Sequence, residues 1–247
     1  YRSYGLGIFN IKENFASPKE IEKIKNPKGL ISKFWNKFEA RILRRFHEGF
    51  EPSFLRKKGD VYLDGYWQSY KYFDDQRAAI LKDFTLKIPL EQTHPELLNQ
   101  IVSNNSVSLS VRRTDYLLPT NLKGLGICSA NYYKKAIEFI ESRVKNPNFF
   151  VVCDDLDWVK ANISFKDYPV TYISELRKNN SITDYQELIL MSRCQHNIIA
   201  NSSFSWWPAW LNQNPDKIVI APDIWFTNEH IKTKDIVLPT WIKLPRD

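Results

Sequence analysis

Arg112 and Arg113 stand side by side at the end of an alternating apolar run, with Asp115 two residues on, in the stretch SVSLSVRRTDY (106–116). A guanidinium presents a planar fork of donors that matches phosphate oxygens, so two of them at a strand end suit a multiply charged anion. The alternative is a structural network with nearby carboxylates, in which Asp115 only orients an arginine. A second donor-rich segment, NSSFSWW, holds Asn201, Ser202, Ser203, Phe204, Ser205 and Trp206. It leads into an expected helix N-terminus, where backbone N–H groups and the serine hydroxyls make another anion site. A plain N-cap is its alternative. The acidic pair of CDDL, Asp154 and Asp155, is unsuited to phosphate but suits a base edge or ribose hydroxyls. One of the two is expected to cap the helix that follows. The composite ligand is a nucleoside diphosphate, with a further group attached.

These residues point away from metal chemistry. No Gly-x-x-x-x-Gly-Lys-Ser/Thr loop is present, and the only Asp-x-Asp, at 155–157, falls within an expected helix and reads as incidental. His47, His94, His196 and His230 are scattered without zinc-site spacing. The expectation is a metal-free diphosphate site in which arginines replace the cation. Cys128, Cys153 and Cys194 are odd in number, which argues against a disulfide framework and fits a reducing compartment.

The elements that must position these groups alternate. Strand 106–111 leads to a helix capped by Ser129, then strand 149–153, a short helix in DDLDWVKANI and strand 170–173. A helix follows in SITDYQELILMSRC, with Tyr185, Leu188, Ile189 and Ser192 on one stripe. Strand 197–200, a helix from FSWWPAWLNQ and strand 217–221 complete the pattern. Such alternation predicts a mostly parallel sheet with helices on both faces, and in such sheets ligands bind beyond the carboxyl ends of the strands. Arg112 and Arg113, Asp154 and Asp155, and Asn201–Ser203 then gather at one sheet edge.

Ahead of this region the pattern is less regular. Residues 29–48 read as a helix with Ile31, Phe34, Trp35, Phe38, Ile42 and Phe46 on one broad face. GDVYLDGYWQSYKYF has β-rich, aromatic character with turns at Gly59-Asp60 and Asp64-Gly65. A helix is expected over 72–83 and another in THPELLNQIVS, with Thr93 as its candidate cap.

The net charge of +7 is regional: residues 1–60 hold 14 basic and 7 acidic residues, and the rest holds 21 of each. The basic helix could lie on an anionic membrane surface, but docking on a core with its basic back in solvent is the more ordinary arrangement. No groove-reading motif supports nucleic-acid binding. No run of about 18 apolar residues and no signal peptide is present. The expected location is the cytoplasm, with peripheral contact at the inner face of the membrane as the alternative. The chain opens on YRSYGLGIFNIK without a methionine, and a preceding segment is expected.

GYWQSYKYF (65–73), VRRTDY (111–116), YYKKAIEFI (132–140) and above all ELILMSRCQHNIIANSSFSWWPAWL (187–211) carry a resemblance. The chain resembles the bacterial α-1,2-fucosyltransferases of glycosyltransferase family 11 over nearly its whole length. The resemblance implies a GT-B-like α/β fold of two Rossmann-like lobes. Residues 1–104 would be a partial N-terminal, acceptor-side lobe and 105–247 the nucleotide-sugar-binding lobe. It also implies inverting, metal-independent transfer from GDP-L-fucose to the 2-hydroxyl of a galactoside, with a galactose-terminated or lipid-linked glycan as partner and no cofactor.

The family motif His-x-Arg-Arg-x-Asp falls on Ser110, Arg112, Arg113 and Asp115. By resemblance Arg112 grips the diphosphate, Asp154 or Asp155 reads guanine, and the Asn201–Ser205 segment holds the phosphates. Two departures follow. Ser110 stands where the family has histidine, which leaves open the use of another nucleotide sugar. The Gly-rich loop with which the family usually begins is absent from this sequence. The base for the acceptor hydroxyl is left open among Asp115, Glu187 and a preceding segment. A non-catalytic nucleotide- or glycan-binding protein is the reading from a different class.

Overall fold

A computed structural model describes residues 4–25, 49–63, 65–179, 181–228 and 234–247. The amphipathic stretch 29–48, Asp64, His47 and His230 lie outside the described residues. Along the chain run α1 (Pro18–Lys25), α2 (Arg77–Asp83), α3 (Leu90–Thr93), α4 (Pro95–Val102), β1 (Ser106–Val111), α5 (Pro119–Gly124), α6 (Ala130–Glu141), β2 (Asn148–Cys153), α7 (Leu156–Asn162), β3 (Val170–Tyr172), α8 (Ile173–Lys178), α9 (Asp184–Arg193), β4 (His196–Ile198), α10 (Ser203–Leu211), β5 (Val219–Pro222) and β6 (Ile242–Leu244). The chain divides into two compact units, one of residues 1–87 with 230–238 and the other of 88–229 with 239–247. Helices α3 and α4 therefore fall with the sheet.

In the first unit, Phe9 bridges Leu86 in antiparallel fashion, and Lys87 N donates to Ile8 O at 2.9 Å. The Tyr72 hydroxyl accepts from Glu51 N (2.8 Å) and donates to Gly49 O (3.0 Å). The 72–83 helix begins only at Arg77, because single 3-10 turns at Tyr70–Tyr72 and Asp74–Gln76 occupy its expected start.

The second unit is an α/β sheet of six parallel strands in the order β3-β2-β1-β4-β5-β6. This is the doubly wound strand order, whose direction of growth reverses between β1 and β4. All six residues of β1 are buried, as a central strand covered on both faces requires. Val107, Leu109 and Val111 pack with Tyr132, Tyr133, Ala136 and Ile137 of α6 and with Phe149 and Val151 of β2. The alternate residues of β1 are serines and need partners. Ser106 Oγ accepts from Gln195 N (3.0 Å), and Ser108 Oγ accepts from Asn197 Nδ2 (2.7 Å). These bonds satisfy two hydroxyls that would otherwise be costly to bury.

Local signals set several boundaries. Ser129 caps α6 by accepting from Tyr132 N (3.1 Å), and Thr183 with Gln186 forms a capping box on α9. Thr93, by contrast, closes α3. His94 holds the N-cap position of α4 without a side-chain cap bond, and Pro95 at the first helical position pre-sets the turn. The buried face of α9 is Glu187, Leu190 and Met191, rotated from the expected stripe because a glutamate sits on the inner side. β4 ends at Ile198 and β5 begins at Val219, each shifted by two residues from expectation. β6, three residues on the sheet edge beside β5, carries too short a pattern to be seen in the sequence. No described helix is long and apolar enough to cross a membrane.

Candidate functional site

With β1 between β2 and β4, the loops that leave their carboxyl ends are adjacent, and they carry Arg112–Asp115, Asp154–Asp155 and Asn201–Ser203. The arginine turn is held by Asp154. Asp154 Oδ1 accepts from Arg113 N (2.8 Å), and Oδ2 accepts from Thr114 N (3.1 Å) and Thr114 Oγ1 (2.8 Å). The same Oδ2 stands 3.4 Å from Arg112 Nε. Asp155 caps α7 by accepting from Trp158 N (3.2 Å) and pairs with Arg113 Nε at 3.5 Å. Of the two expectations for a helix cap, Asp155 is the one realised.

The two arginines differ in freedom. Arg113 is pinned, with its side chain 11% exposed and its guanidinium carbon 3.8 Å from the Trp158 ring centroid. Arg112 is 31% exposed. Its Nη2 pairs with Asp115 Oδ2 at 2.7 Å, and its guanidinium lies 5.7 Å from the Tyr116 ring. Arg112 is thus the arginine that can turn donors toward an incoming anion. Asp115 Oδ1 is buried and has no hydrogen-bond partner. The side chain as a whole is 42% exposed, so its accessible oxygen is the Oδ2 that also pairs with Arg112.

In the β4–α10 segment the residues separate by task. Asn201 is 1% exposed, and its Nδ2 donates to the carbonyls of Leu125 (2.9 Å), Gly126 (3.2 Å) and Trp225 (3.0 Å). Ser205 Oγ donates to Ala200 O and Ser202 O, both at 3.0 Å. Trp206 is buried, with ring centroids 6.2 Å from Trp210 and 5.7 Å from Trp241. Ser202 caps α10 by accepting from Phe204 N (3.3 Å), Phe204 is half-buried and Ser203 is exposed. The side chains of Asn201, Ser205 and Trp206 therefore build the corner, while Ser202, Ser203 and the first N–H groups of α10 lie at its edge. Ser110 is buried at 4%, and its carbonyl accepts from Tyr133 Oη (3.2 Å).

Sequence reasoning missed Thr114, Tyr116 and Trp158, although the first two lie inside the quoted motif. Tyr116 Oη donates to Asn201 O (3.2 Å), which ties the arginine loop to the corner ahead of α10. Burial raises the Tyr116 pKa, opposed by a hydrogen bond with Ser202 and the charge of Arg112, so the phenol stays protonated at neutral pH. Burial pushes Cys153 up to about 11, so this thiol beside Asp154 is no thiolate nucleophile at neutral pH. Among the described residues no group of three or more His, Cys, Asp or Glu could hold a metal ion.

Glu187, one of the candidate bases, is wholly buried and both its oxygens are engaged. Oε1 accepts from Ser174 Oγ (3.0 Å) and Oε2 from Arg177 Nη1 (2.9 Å). Ser174 Oγ also accepts from Cys153 N (2.9 Å), and Arg177 Nη2 donates to Cys153 O (3.3 Å). The network fixes the end of β2, one residue before Asp154. Desolvation raises the Glu187 pKa above the ordinary glutamate value, and Arg177 opposes it. A raised folded pKa stabilises the fold fully below the unfolded value, and this contribution is lost as pH rises through the folded value. Glu187→Gln is therefore expected to remove that loss and flatten the stability curve from about pH 4.3 upward. Glu187→Ala is expected to cost about 2 kcal/mol. That is below the roughly 3–5 kcal/mol of a broken buried pair, because Arg177 is partly solvated. Chemical denaturation across pH checks both, and an unchanged profile in Glu187→Gln contradicts the assignment.

Known proteins resemble this chain in sequence. The profile described as Glycosyl transferase family 11 matches residues 22–245. The chain is 36% identical over 214 residues to the O-antigen biosynthesis glycosyltransferase WbnK of Escherichia coli, covering 81% of this chain and 66% of that protein. It is 34% identical over 192 residues to an alpha-1,2-colitosyltransferase of Escherichia coli, covering 76% of this chain and 64% of that one. It is 27% identical over 198 residues to galactoside alpha-(1,2)-fucosyltransferase 1 of Homo sapiens, covering 75% and 53%. The matched region is thus less than two thirds of the length of each of these relatives. No solved structure matches the chain.

Proposed function

We propose that this chain, which belongs to glycosyl transferase family 11, moves L-fucose from GDP-L-fucose to the 2-hydroxyl of a β-galactoside in a bacterial glycan. The family implies a nucleotide-sugar donor and a glycan acceptor. The observation that carries the finer reading is Arg112, partly exposed at the β1 end and bonded to Asp115, beside the N-terminus of α10 at the sheet's switch point. The names of the relatives, a colitosyltransferase and a fucosyltransferase, support a 1,2-linkage.

In this reading the diphosphate lies across the ends of β1 and β4. Ser202, Ser203 and the first N–H groups of α10 meet one phosphate, and Arg112 meets the other. Asp155 is better placed than Asp154 for a base edge, since it is 27% exposed and each oxygen has a lone pair to spare. Asp154 holds the arginine turn. The acceptor 2-hydroxyl gives its proton to Asp115, its oxygen attacks C1 of the sugar, and the C1–phosphate bond breaks with inversion. Negative charge grows on the departing β-phosphate, where Arg112 stabilises the transition state more than the ground state. The second unit carries the donor site, and the acceptor is a galactose-terminated or lipid-linked glycan.

A second reading, the same chemistry with another nucleotide sugar, is favoured by Ser110 where the family has histidine. Calorimetric titration with GDP and UDP separates the two, since the first reading requires GDP to bind and UDP not to. Preferential binding of UDP would reject GDP-fucose as donor. Activity is expected to survive EDTA, because arginines and a helix N-terminus supply the anion stabilisation. Loss in chelator that magnesium or manganese restores would contradict this.

A further inference from the structure

Arg246, two residues beyond β6, is 7% exposed. Its Nη1 donates to Leu125 O (3.2 Å) and its Nη2 to Thr227 Oγ1 (3.4 Å). Its Nε has no hydrogen-bond partner among the described residues and stands 4.0 Å from Oδ1 of Asp247, an exposed side chain. A buried guanidinium without a close carboxylate is expensive. What it holds is the turn at Gly126, whose φ is +67°. A Cβ there would stand 2.4 Å from Thr227 Oγ1 and 2.6 Å from Arg246 Nη1, so the guanidinium packs where only glycine leaves room.

The same turn is gripped from the other side. Leu125 O accepts from both Arg246 and Asn201, and Asn201 also takes the carbonyls of Gly126 and Trp225. Asn201 immediately precedes the α10 cap, and its own carbonyl accepts from Tyr116, the ring beneath Arg112. The Arg246 backbone extends the network. Its N–H donates to Asp223 Oδ1 (3.0 Å), and its carbonyl accepts from Ser129 N (3.0 Å) at the cap of α6. Arg246 thus joins the turn between α5 and α6 to the segments that follow β5 and β6, and it meets Asn201, after β4, at the shared Leu125 carbonyl.

We propose that Arg246 is a positioning residue for the donor site, setting the arginine loop and the α10 N-terminus relative to each other through the Leu125–Gly126 turn and Asn201. This rests on the donor reading above. Removing two donors from a charged group would separate the two anion-binding elements without touching either. Arg246→Ala is expected to weaken GDP binding by about 10–100-fold. Arg246→Lys, which keeps the charge on a single donor nitrogen and loses the fork, is expected to fall between Ala and wild type.

The test is calorimetric titration with GDP alongside thermal melting for wild type, Arg246→Ala, Arg246→Lys and Gly126→Ala. Free guanidinium, at a concentration that leaves wild type unchanged, is expected to restore GDP affinity to Arg246→Ala. If Arg246→Ala does not fold, the Lys and Gly126→Ala variants carry the test, each weaker for GDP than wild type. Lowered melting with GDP affinity within about twofold of wild type would overturn the positioning role. Failure of wild type itself to bind GDP would overturn the donor reading, and this proposal with it.

Discussion

Arg112→Ala is expected to lower turnover by about 10²–10³, the loss typical when one donor to a developing oxyanion is removed. Its side chain is nearly a third exposed and packs into no core, so the fold should melt within a few degrees of wild type. The loss should fall mainly on kcat, because charge on the leaving phosphate is larger in the transition state than in the bound donor. Arg113 gives the contrast. Its guanidinium is stacked on Trp158 and tied to Asp155, so Arg113→Ala should lower stability as well as activity. An Arg112→Ala protein with near-normal turnover and normal melting would remove Arg112 from the reaction.

Asp115→Asn is expected to lower kcat by about 10²–10⁴, the range of a positioned general base. Asparagine keeps the shape and one acceptor oxygen but cannot take the acceptor's proton. GDP affinity should change far less than kcat, because Asp115 meets the donor only through Arg112. A kcat within about tenfold of wild type, in a folded Asp115→Asn protein, would reduce Asp115 to an orienter of Arg112. A GDP affinity that falls in step with kcat would say the same.

The sheet and the gathering of the three marked loops at one edge were legible because they rest on strong periodic signals. The alternation of β and α from Ser106 predicted a parallel sheet, and the order β3-β2-β1-β4-β5-β6 then brought the three marked loops together. Ser129 and the aspartate cap were readable because capping chemistry is local. What was not legible depends on partners distant in sequence. Asp154 looks like a base reader in isolation, but both its oxygens accept from a turn about 40 residues earlier. Asn201 and Ser205 look like phosphate ligands, but they satisfy backbone carbonyls in the corner. Glu187 broke the apolar stripe of α9 because a buried ion pair has no periodic signature. Arg246 lies in no motif at all, and only its burial reveals it.

The central claim is transfer of L-fucose from GDP-L-fucose to the 2-hydroxyl of a galactoside by Arg112 and Asp115. It is tested most directly by incubating the protein with GDP-L-fucose and a β-galactoside in EDTA and determining the product's linkage by NMR. The account predicts release of GDP together with an α-1,2-linked fucosyl product, from wild type and about 10²–10³ times more slowly from Arg112→Ala. Intact GDP-L-fucose under these conditions, with sugar transferred instead from a different nucleotide, would contradict it.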